Sequence, residues 1–200
     1  MHTATKFKSR FIKADSRRGE SFVGYKALSS LAGDWIAVKD MYISPGNKGT
    51  ANVKGNCLNM FLPLVGTACL NGNVKRVEVL PEEVFCFGTG ADTTIEISNQ
   101  HHDETINLLQ VSISDSDPLF YLPPSISKLN LHEPNNLANG NGFASGVHAG
   151  VYESRKKGQF TLRHSGASLL CYVINGAFEV EERLMEHRDA LFIWDVDHVE

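Results

Sequence analysis

Residues 62–73, LPLVGTACLNGN, and residues 172–183, YVINGAFEVEER, place a glycine at the same point between two strand-like runs. In each copy a turn leads into a strand, and the strand closes on a second turn glycine, Gly66 or Gly176. The two copies lie further apart than the common repeat periods of solenoids and propellers. The sequence therefore predicts two tandem domains built on one fold, rather than a stacked array.

Short runs of strand-like composition dominate the chain, and each is bounded by Gly, Pro, Asn or Asp. They occupy residues 35–43, 58–65, 74–80, 84–87, 93–97 and 105–113. Apolar and polar residues alternate in residues 94–97 and 178–181, which indicates one buried and one solvated face. No long stretch has helical apolar spacing, although residues 28–31 and 183–187 could each form one turn of helix. The pattern predicts an all-β protein of sandwich or barrel type.

Composition excludes several classes of function. The 200 residues are 42% hydrophobic, which is enough for a packed core. A net charge of -4 and an isoelectric point near 6.1 give no electrostatic reason to expect nucleic acid. No apolar stretch is long enough to predict a membrane span or a signal peptide. The cysteines have no CxxC pairing and lie among apolar neighbours, so we expect buried free thiols in a cytoplasmic protein.

The spacing of the first copy resembles the first motif of the cupin superfamily, and within it the pirin-like bicupins. That motif runs from a glycine through two histidines and a glutamate to a closing glycine. Laid on Gly46, its histidine positions fall on Asn52 and Lys54, its glutamate position on Leu58 and its closing glycine on Gly66. The resemblance implies two tandem cupin domains of the jelly-roll or double-stranded β-helix type. It also implies that the metal ligands of the first barrel are absent.

A second pirin-like block runs from Pro81 through a Gly-Thr-Gly segment to Asn99. Its remaining ligand positions fall on Ile95 and Ile97, or near Thr94 and Glu96 if the block is anchored on the Gly-Thr-Gly segment. Neither placement supplies a histidine. In the second half, the first motif laid on Gly158 puts His164 at one ligand position and supplies no other. A lone imidazole favours a polar pocket residue over a metal site, because zinc and iron centres need about three protein ligands.

Two interpretations of Asn52 and Lys54 follow from the resemblance, which directs both side chains into the first barrel. Lys54 could pair with an anionic or carbonyl ligand while Asn52 donates hydrogen bonds. Alternatively the pocket has closed, with Leu58 and Ile95 filling it and Lys54 reaching its mouth. We favour the closed pocket. The pocket candidates are Asn52, Lys54, Leu58, Ile95, Ile97 and His164, with no catalytic residue and no metal ligand. His101 and His102 lie in a polar stretch that predicts a solvated turn.

The resemblance divides the chain into an N-terminal cupin domain at 1–113, a linker at 114–136 and a C-terminal cupin domain at 137–200. The two barrels are expected to pack face to face. The C-terminal domain is expected to be incomplete, which would leave an unpaired strand edge. Residues 7–14, the linker around residues 127–132, or a second chain could fill it. We expect a homodimer with strand pairing at this domain.

Three functions remain open from the sequence. The first is a cofactor-free, metal-free bicupin that binds a small molecule or a protein partner. The second is a metal-dependent oxidoreductase resembling quercetin 2,3-dioxygenase, an activity of some pirin-like proteins, which would need an open metal centre. The third is a structural or assembly role. The absence of first-barrel ligands favours the first function, and an enzyme is the less favoured interpretation.

Overall fold

The computed structural model describes residues 8–32, 36–72, 76–114, 122–142, 146–162 and 166–199. These residues form two compact units, Arg18–Val151 (the first unit) and residues 8–17 with 152–199 (the second unit). The regular structure of the described residues is almost entirely strand, with a 3-10 turn at Ala14–Ser16. The all-β prediction is confirmed. The strands in chain order are β1 (Lys8–Ile12), β2 (Arg18–Phe22), β3 (Tyr25–Ala32), β4 (Ile36–Ile43), β5 (Lys48–Val53), β6 (Cys57–Val65), β7 (Ala68–Asn71), β8 (Val77–Val79), β9 (Glu83–Thr89), β10 (Thr93–Ser98), β11 (Ile106–Ser114), β12 (Ser125–Lys128), β13 (Ala138–Asn139), β14 (His148–Ala149), β15 (Phe160–Thr161), β16 (Ala167–Tyr172), β17 (Phe178–Val180), β18 (Arg183–Met185), β19 (Ala190–Val196) and β20 (His198–Val199).

The first unit is built from two antiparallel sheets. Seven strands pair in the order β12-β9-β6-β11-β4-β3-β2, and four pair in the order β5-β10-β7-β8. The apolar faces of these sheets share one core cluster, which contains residues from both. Its members are Tyr25, Ala27, Met41, Ile43, Ala51, Val53, Phe61, Ala68, Leu70, Val79, Phe85, Phe87, Ile95, Ile97, Ile106 and Leu108. The interior of this unit is therefore filled with apolar side chains along most of its length.

A second cluster lies on the other face of the seven-stranded sheet. Met60, Val84 and Cys86 pack there with the buried Leu129, and Leu58 is partly buried against them. Because side chains alternate along a strand, Met60 and Leu58 face away from Phe61, which lies in the main core. Both faces of β6 and β9 are thus covered, which explains why their sequences are almost continuously apolar.

The boundaries of the two units differ from those predicted from the sequence. Strand β12 pairs with β9, with Ser125 opposite Cys86, so the predicted linker extends the sheet of the first unit. The pair β13 and β14 also belongs to this unit, which runs to Val151 instead of 113. The chain here satisfies its backbone hydrogen bonds by joining an existing sheet. It therefore does not fill an edge of the second unit, which was one of the expectations.

The two predicted helical turns are wrong. Residues 28–31 lie within β3, and residues 183–185 form β18, which pairs with β17. Leu28 and Leu31 have helical spacing, but β3 pairs along its whole length with β4 and places these two residues on opposite faces. Continuous pairing with a neighbouring strand outweighs the local propensity of so short a segment.

The second unit contains the sheet β1-β19-β16 and the strand pairs β15 with β20 and β17 with β18. N-terminal strand β1 pairs with β19 from Lys8 opposite Trp194 to Ile12 opposite Ala190. The expectation that residues 7–14 would supply a strand to this domain is confirmed for the described residues 8–12. The core contains Val173, Met185, Leu191, Ile193, Val196 and Val199, with Phe11 of β1 packed against them. The oligomeric state stays a prediction.

Two buried polar side chains attach the N-terminal segment to the second unit. The Asp189 carboxylate, 6% exposed, accepts hydrogen bonds from the backbone N–H groups of Ala14 at 2.9 Å and Glu186 at 2.9 Å. Arg17 donates to the Tyr172 hydroxyl at 3.1 Å and to the Arg188 carbonyl, with its guanidinium 5.0 Å from the centre of the Tyr172 ring. The turn after β1 is therefore held by side-chain bonds as well as by strand pairing.

Replacing Asp189 by alanine should destabilise the second unit by about 2 to 4 kcal/mol, because two backbone donors would lose their acceptor. The matched control is Asp195→Asn, since Asp195 is 61% exposed, forms a surface ion pair with Lys8 at 3.2 Å and has a φ angle of 58° that asparagine tolerates. That change should cost less than about 1 kcal/mol. Urea unfolding followed by circular dichroism measures both. Equal effects of the two substitutions would contradict the anchoring role of Asp189.

The cysteines Cys57, Cys69, Cys86 and Cys171 are free thiols, as predicted, and the first three are buried. Burial raises the pKa of Cys86 to about 12. Burial, assisted by the charge of Glu181, raises the pKa of Cys171 to about 12. The neutral thiol is therefore the stable form of both groups at neutral pH.

We expect Cys86 and Cys171 to react slowly with a disulfide reagent at pH 8 in the native protein, because thiolate is the reactive form and only about one thiol in 10⁴ would be ionised. Both should react at once in urea. Stability contributed by the protonated thiols is present below pH 9 and is lost as the pH rises toward 12. A Cys86→Ala variant shows which labelling signal belongs to Cys86, because this variant has one reactive thiol fewer in urea. Fast labelling of Cys86 in the folded protein is the contrary result.

Candidate binding groove in the first unit

The structure separates the pocket candidates of the first barrel. Ile95 and Ile97, 3% and 0% exposed, lie in the core between the sheets, as expected for a filled interior. Leu58 lies on the opposite face of the seven-stranded sheet. Asn52 and Lys54 are exposed. His164 lies outside the described residues. The structure therefore does not gather the described candidates around one cavity.

The expectation that Asn52 and Lys54 point into the barrel is wrong. Along β5, Gly49, Ala51 and Val53 are buried, and the residues between them are exposed. Since side chains alternate between the two faces of a strand, Ala51 and Val53 take the inward positions and Asn52 the outward one. A displacement of one residue between motif and strand register reverses which side chains enter the barrel.

Lys54 and Asp92 form an exposed polar pair beside this strand. Lys54 Nζ lies 2.7 Å from Asp92 Oδ2, and the backbone N–H of Gly55 donates to Asp92 Oδ1 at 2.9 Å. The hydrogen bond to Asp92 raises the pKa of Lys54, and the same bond, with that from Gly55, lowers the pKa of Asp92. Lys54 is thus a protonated ammonium with no lone pair to offer a metal. The pair fastens the turn between β5 and β6.

The residues at the cupin ligand positions of the first unit do not fit a transition metal. They comprise an exposed amide, a protonated ammonium and apolar side chains, which lack the imidazole and carboxylate donors that such metals need. Among the described residues, no group of three or more His, Cys, Asp or Glu side chains could hold a metal ion.

His101 is more tightly held than a solvated turn would require. Its ring Nε2 accepts a hydrogen bond from the backbone N–H of Thr67 at 3.1 Å, and its carbonyl accepts one from Gly46 at 3.2 Å. The side chain is partly buried, whereas the neighbouring His102 is exposed as expected. His101 therefore holds the Gly66 turn against the loop at Gly46, and the sequence pattern did not predict this role.

A groove of about 220 Å³ lies where strand β5 of one sheet approaches β2 and β3 of the other. Phe22 and Val23, 69% and 97% exposed, form its apolar rim at the turn between β2 and β3. Its remaining lining residues are Glu20, Tyr25, Lys39, Lys48, Gly49, Thr50, Asn52 and Glu96. Of the predicted pocket residues that the structure describes, only Asn52 is among them.

Side chains join the two sheets at the groove. The Tyr25 hydroxyl donates to the carbonyl of Thr50 at 3.2 Å, and Gln110 Nε2 donates to the carbonyl of Asn52 at 2.9 Å. These carbonyls lie on β5, which is the outermost strand of its sheet. Two backbone carbonyls at this edge are therefore hydrogen-bonded to side chains of the facing sheet. A groove remains between the strands.

Glycine at position 49 makes this approach possible. A Cβ atom at Gly49 would collide with the ring of Tyr25, so only the bare backbone allows the ring to lie across β5. The φ angle of Gly49 is not positive, so glycine is needed here because a side chain would not fit, and not because of the backbone conformation. Gly49 thus fixes the position of the Tyr25 hydroxyl at Thr50.

The groove contains charges of both signs. Lys48 Nζ lies 2.9 Å from Glu96 Oε1, and both side chains are largely exposed. Lys39 Nζ lies 3.6 Å from Glu20 Oε2 and 5.8 Å from the centre of the Tyr25 ring. The Lys48–Glu96 ion pair is exposed and contributes little to stability, so these two groups can exchange partners at low cost.

Sequence reasoning missed Gln110, Lys39 and Tyr25. The available signal was a polar residue, Gln110, inside the otherwise apolar run of β11, and a lysine inside the mostly apolar run of β4. Buried polar side chains in a strand of this kind are uncommon and call for a partner. The motif comparison drew attention to Asn52 and Lys54 instead.

The fold is similar to that of several solved structures. YhhW from Escherichia coli has a TM-score of 0.65 at 14% identity, over 96% of this chain and 91% of that chain. The nickel(II) complex of this bacterial pirin has a TM-score of 0.65 at 15% identity, over 96% and 92%. A mutant of oxalate decarboxylase OxdC from Bacillus subtilis has a TM-score of 0.61 at 11% identity, over 95% and 73%. The chain therefore has a pirin-like cupin fold, as the sequence predicted.

No protein-family model matches the sequence, and a search of curated proteins found no match. At identities of 10 to 15%, the solved structures define the fold alone. Within the described part of the chain, no helix has the length and apolar character required to cross a membrane.

Replacing Gly49 by alanine should destabilise the first unit by about 1 to 3 kcal/mol, because the added methyl group displaces the Tyr25 ring. Gly90→Ala is the matched control, since a Cβ atom at Gly90 meets nothing within 4 Å and its φ angle is not positive. The control should change stability by less than about 0.5 kcal/mol. Thermal and urea unfolding of both variants measure the difference. A Gly49→Ala protein as stable as the control would show that the ring does not depend on this glycine.

Proposed function

We propose that this protein binds a small polar molecule in the groove of its first unit and does so without a metal ion. The observation that carries the proposal is the combination of an apolar interior with a polar groove at the sheet edges. Ile95, Ile97 and Phe61 occupy the interior, whereas Lys39, Lys48 and Glu96 place polar atoms at the groove. The proposal assigns no catalytic residue.

The strongest competing function is a metal-dependent oxidoreductase resembling quercetin 2,3-dioxygenase. The similarity to the nickel(II) complex of YhhW is the observation in its favour. Against it, the first-unit ligand positions hold Asn52, Lys54 and Leu58, none of which supplies the required donor set. His164 alone would remain for the second unit, and one imidazole does not make a metal centre. We therefore assign binding, and not oxidation, to this chain.

Elemental analysis should find far less than one Fe, Ni, Cu or Zn per chain in the purified protein. The reason is that structural and catalytic transition-metal sites require about three protein ligands. Protein purified in the presence of added nickel and then dialysed is the control for loading. About one metal ion per chain that survives dialysis would support the oxidoreductase and contradict the proposal.

A thermal-shift screen of small metabolites should identify a ligand that stabilises the protein. A ligand present at 100 times its dissociation constant adds about 2.7 kcal/mol to the free energy of unfolding. Amide NMR shifts should then place the ligand beside Tyr25, Lys39 and Thr50. Absence of any stabilising molecule, or shifts confined to the second unit, would contradict the proposal and favour a protein partner or an assembly role.

A further inference from the structure

Strand β2 is an exposed end strand of the seven-stranded sheet. It pairs with β3 on one side, and on its other side the described structure has no neighbouring strand. All five residues of Arg18–Phe22 are exposed, and Val23 in the turn that follows is 97% exposed. An edge of this kind presents backbone N–H and C=O groups with which another strand can pair.

The backbone N–H and C=O groups of Gly19 and Ser21 point away from β3. A two-residue turn joins the two strands and sets Phe22 opposite Tyr25, and in such a hairpin this pair exchanges both of its hydrogen bonds. Bonded and non-bonded positions alternate along an antiparallel pair, so the next residue bonded to β3 is Glu20. Gly19 and Ser21 therefore direct their groups to the open side, and the described residues supply no further backbone partner for them.

The side chains of this edge carry opposite charges at alternate positions. Arg18 and Glu20 lie on the same face of the strand, because they are two residues apart. Arg18 forms no ion pair within the described part of the chain. Glu20 is 57% exposed, and its contact with Lys39 at 3.6 Å uses Oε2. A carboxylate has two acceptor oxygens, so Glu20 can pair with a second cation through Oε1.

This charge pattern is complementary to itself in one register. When two copies of β2 pair antiparallel about a twofold axis, the axis passes through one residue of the strand. An axis at Arg18 or at Glu20 sets like charges opposite each other, which is destabilising. An axis at Ser21 forms no ion pair. An axis at Gly19 sets Arg18 of each copy opposite Glu20 of the other, and so forms two ion pairs.

Gly19 is suited to lie at the twofold axis. It has no side chain, so the two backbones can approach without a contact between side chains at the centre. Its outward N–H and C=O groups allow the two Gly19 residues to exchange both hydrogen bonds. The Arg18–Glu20 pairs on either side then occupy non-bonded positions, where opposite side chains lie closest.

Other sheet edges do not offer this complementarity. Strand β1, an end strand in the second unit, carries the exposed cations Lys8 and Arg10, so two copies of it would set positive charges opposite each other. On β5, two edge carbonyls already accept hydrogen bonds from Tyr25 and Gln110. The charges and the open backbone groups therefore favour β2.

We propose that β2 pairs antiparallel with β2 of a second copy of this chain, with the twofold axis at Gly19 and two Arg18–Glu20 ion pairs across the interface. The paired segment is short, and interfaces that bury less than about 1,200 Å² are weak, so the dissociation constant is on the order of 100 μM. This dimer forms through the first unit, whereas the sequence predicted a dimer at the second. It does not depend on a ligand in the groove.

Two measurements on the native full-length chain test the pairing. Sedimentation equilibrium between about 10 μM and about 1 mM should show conversion of monomer to dimer, because this range spans the expected dissociation constant. Amide hydrogen exchange, followed by NMR over the same concentrations, should slow for Gly19. The exchange of Glu20 should not change, because its N–H is bonded to β3 within the monomer.

Charge reversals test the ion pairs. Arg18→Glu and Glu20→Arg should each weaken the dimer by about tenfold or more, because each sets like charges opposite each other. An equimolar mixture of the two variants should dimerise again, since each interface pair then joins opposite charges. Lys26→Glu is the control, because Lys26 is exposed on the neighbouring strand β3 and its reversal changes the net charge as much as Arg18→Glu does. It should leave the dissociation constant unchanged.

A protein that stays monomeric at about 1 mM overturns the proposal, since a contact weaker than that is not a specific interface. A dimer that both charge reversals leave intact, or one in which the exchange of Gly19 does not slow, also overturns it and places the interface elsewhere. Circular dichroism verifies the fold of each variant. If a variant does not fold, the concentration dependence of Gly19 exchange in the native protein decides the result.

Discussion

The alternation of side chains along strand β5 determines which of its residues enter the interior of the first unit. Ala51 and Val53 face the core, so Asn52 faces outward, and the interior receives only the apolar side of the strand. Strand β10, paired with β5, contributes Ile95 and Ile97 to the same core. These side chains pack against Phe61 and the other apolar residues of the facing sheet. Burial of this surface contributes roughly 25 cal/mol per Å², which no metal ligand at the same positions would add.

Each of the two sheets has an outer edge strand, and the polar groups of the groove lie at these edges. Strands β2 and β5 are the outermost strands of their sheets on this side. Unpaired backbone groups on such edges would favour association with other chains. Tyr25 and Gln110 donate hydrogen bonds to two backbone carbonyls of β5, and they do not cover the whole edge. A narrow opening lined by polar atoms remains between these strands.

Much of the fold could be predicted from the sequence, because strand runs bounded by turn residues are a local signal. The turn glycines in the two copies predicted the duplication. Gly46, Gly66 and Gly176 have positive φ angles of 65°, 68° and 84°. The strand register could not be predicted, since one residue of displacement exchanges Asn52 for Ala51. The pairing of residues 125–128 with β9 could not be predicted either, because it depends on contacts between residues distant in the chain.

The candidate site was less predictable than the fold for a related reason. Asn52, Lys54 and Leu58 stand where the metal ligands of the resembling motif would lie, so the resemblance points to the interior of the barrel. Once the interior is apolar, a polar side chain on the inward face can find a ligand only where the two sheets separate. Lys39 lies on the inward face of the seven-stranded sheet and lines that separation, whereas Lys54 forms an ion pair outside with Asp92. The same packing that fills the interior of the first unit with apolar side chains thus leaves the polar groups of the groove at its side.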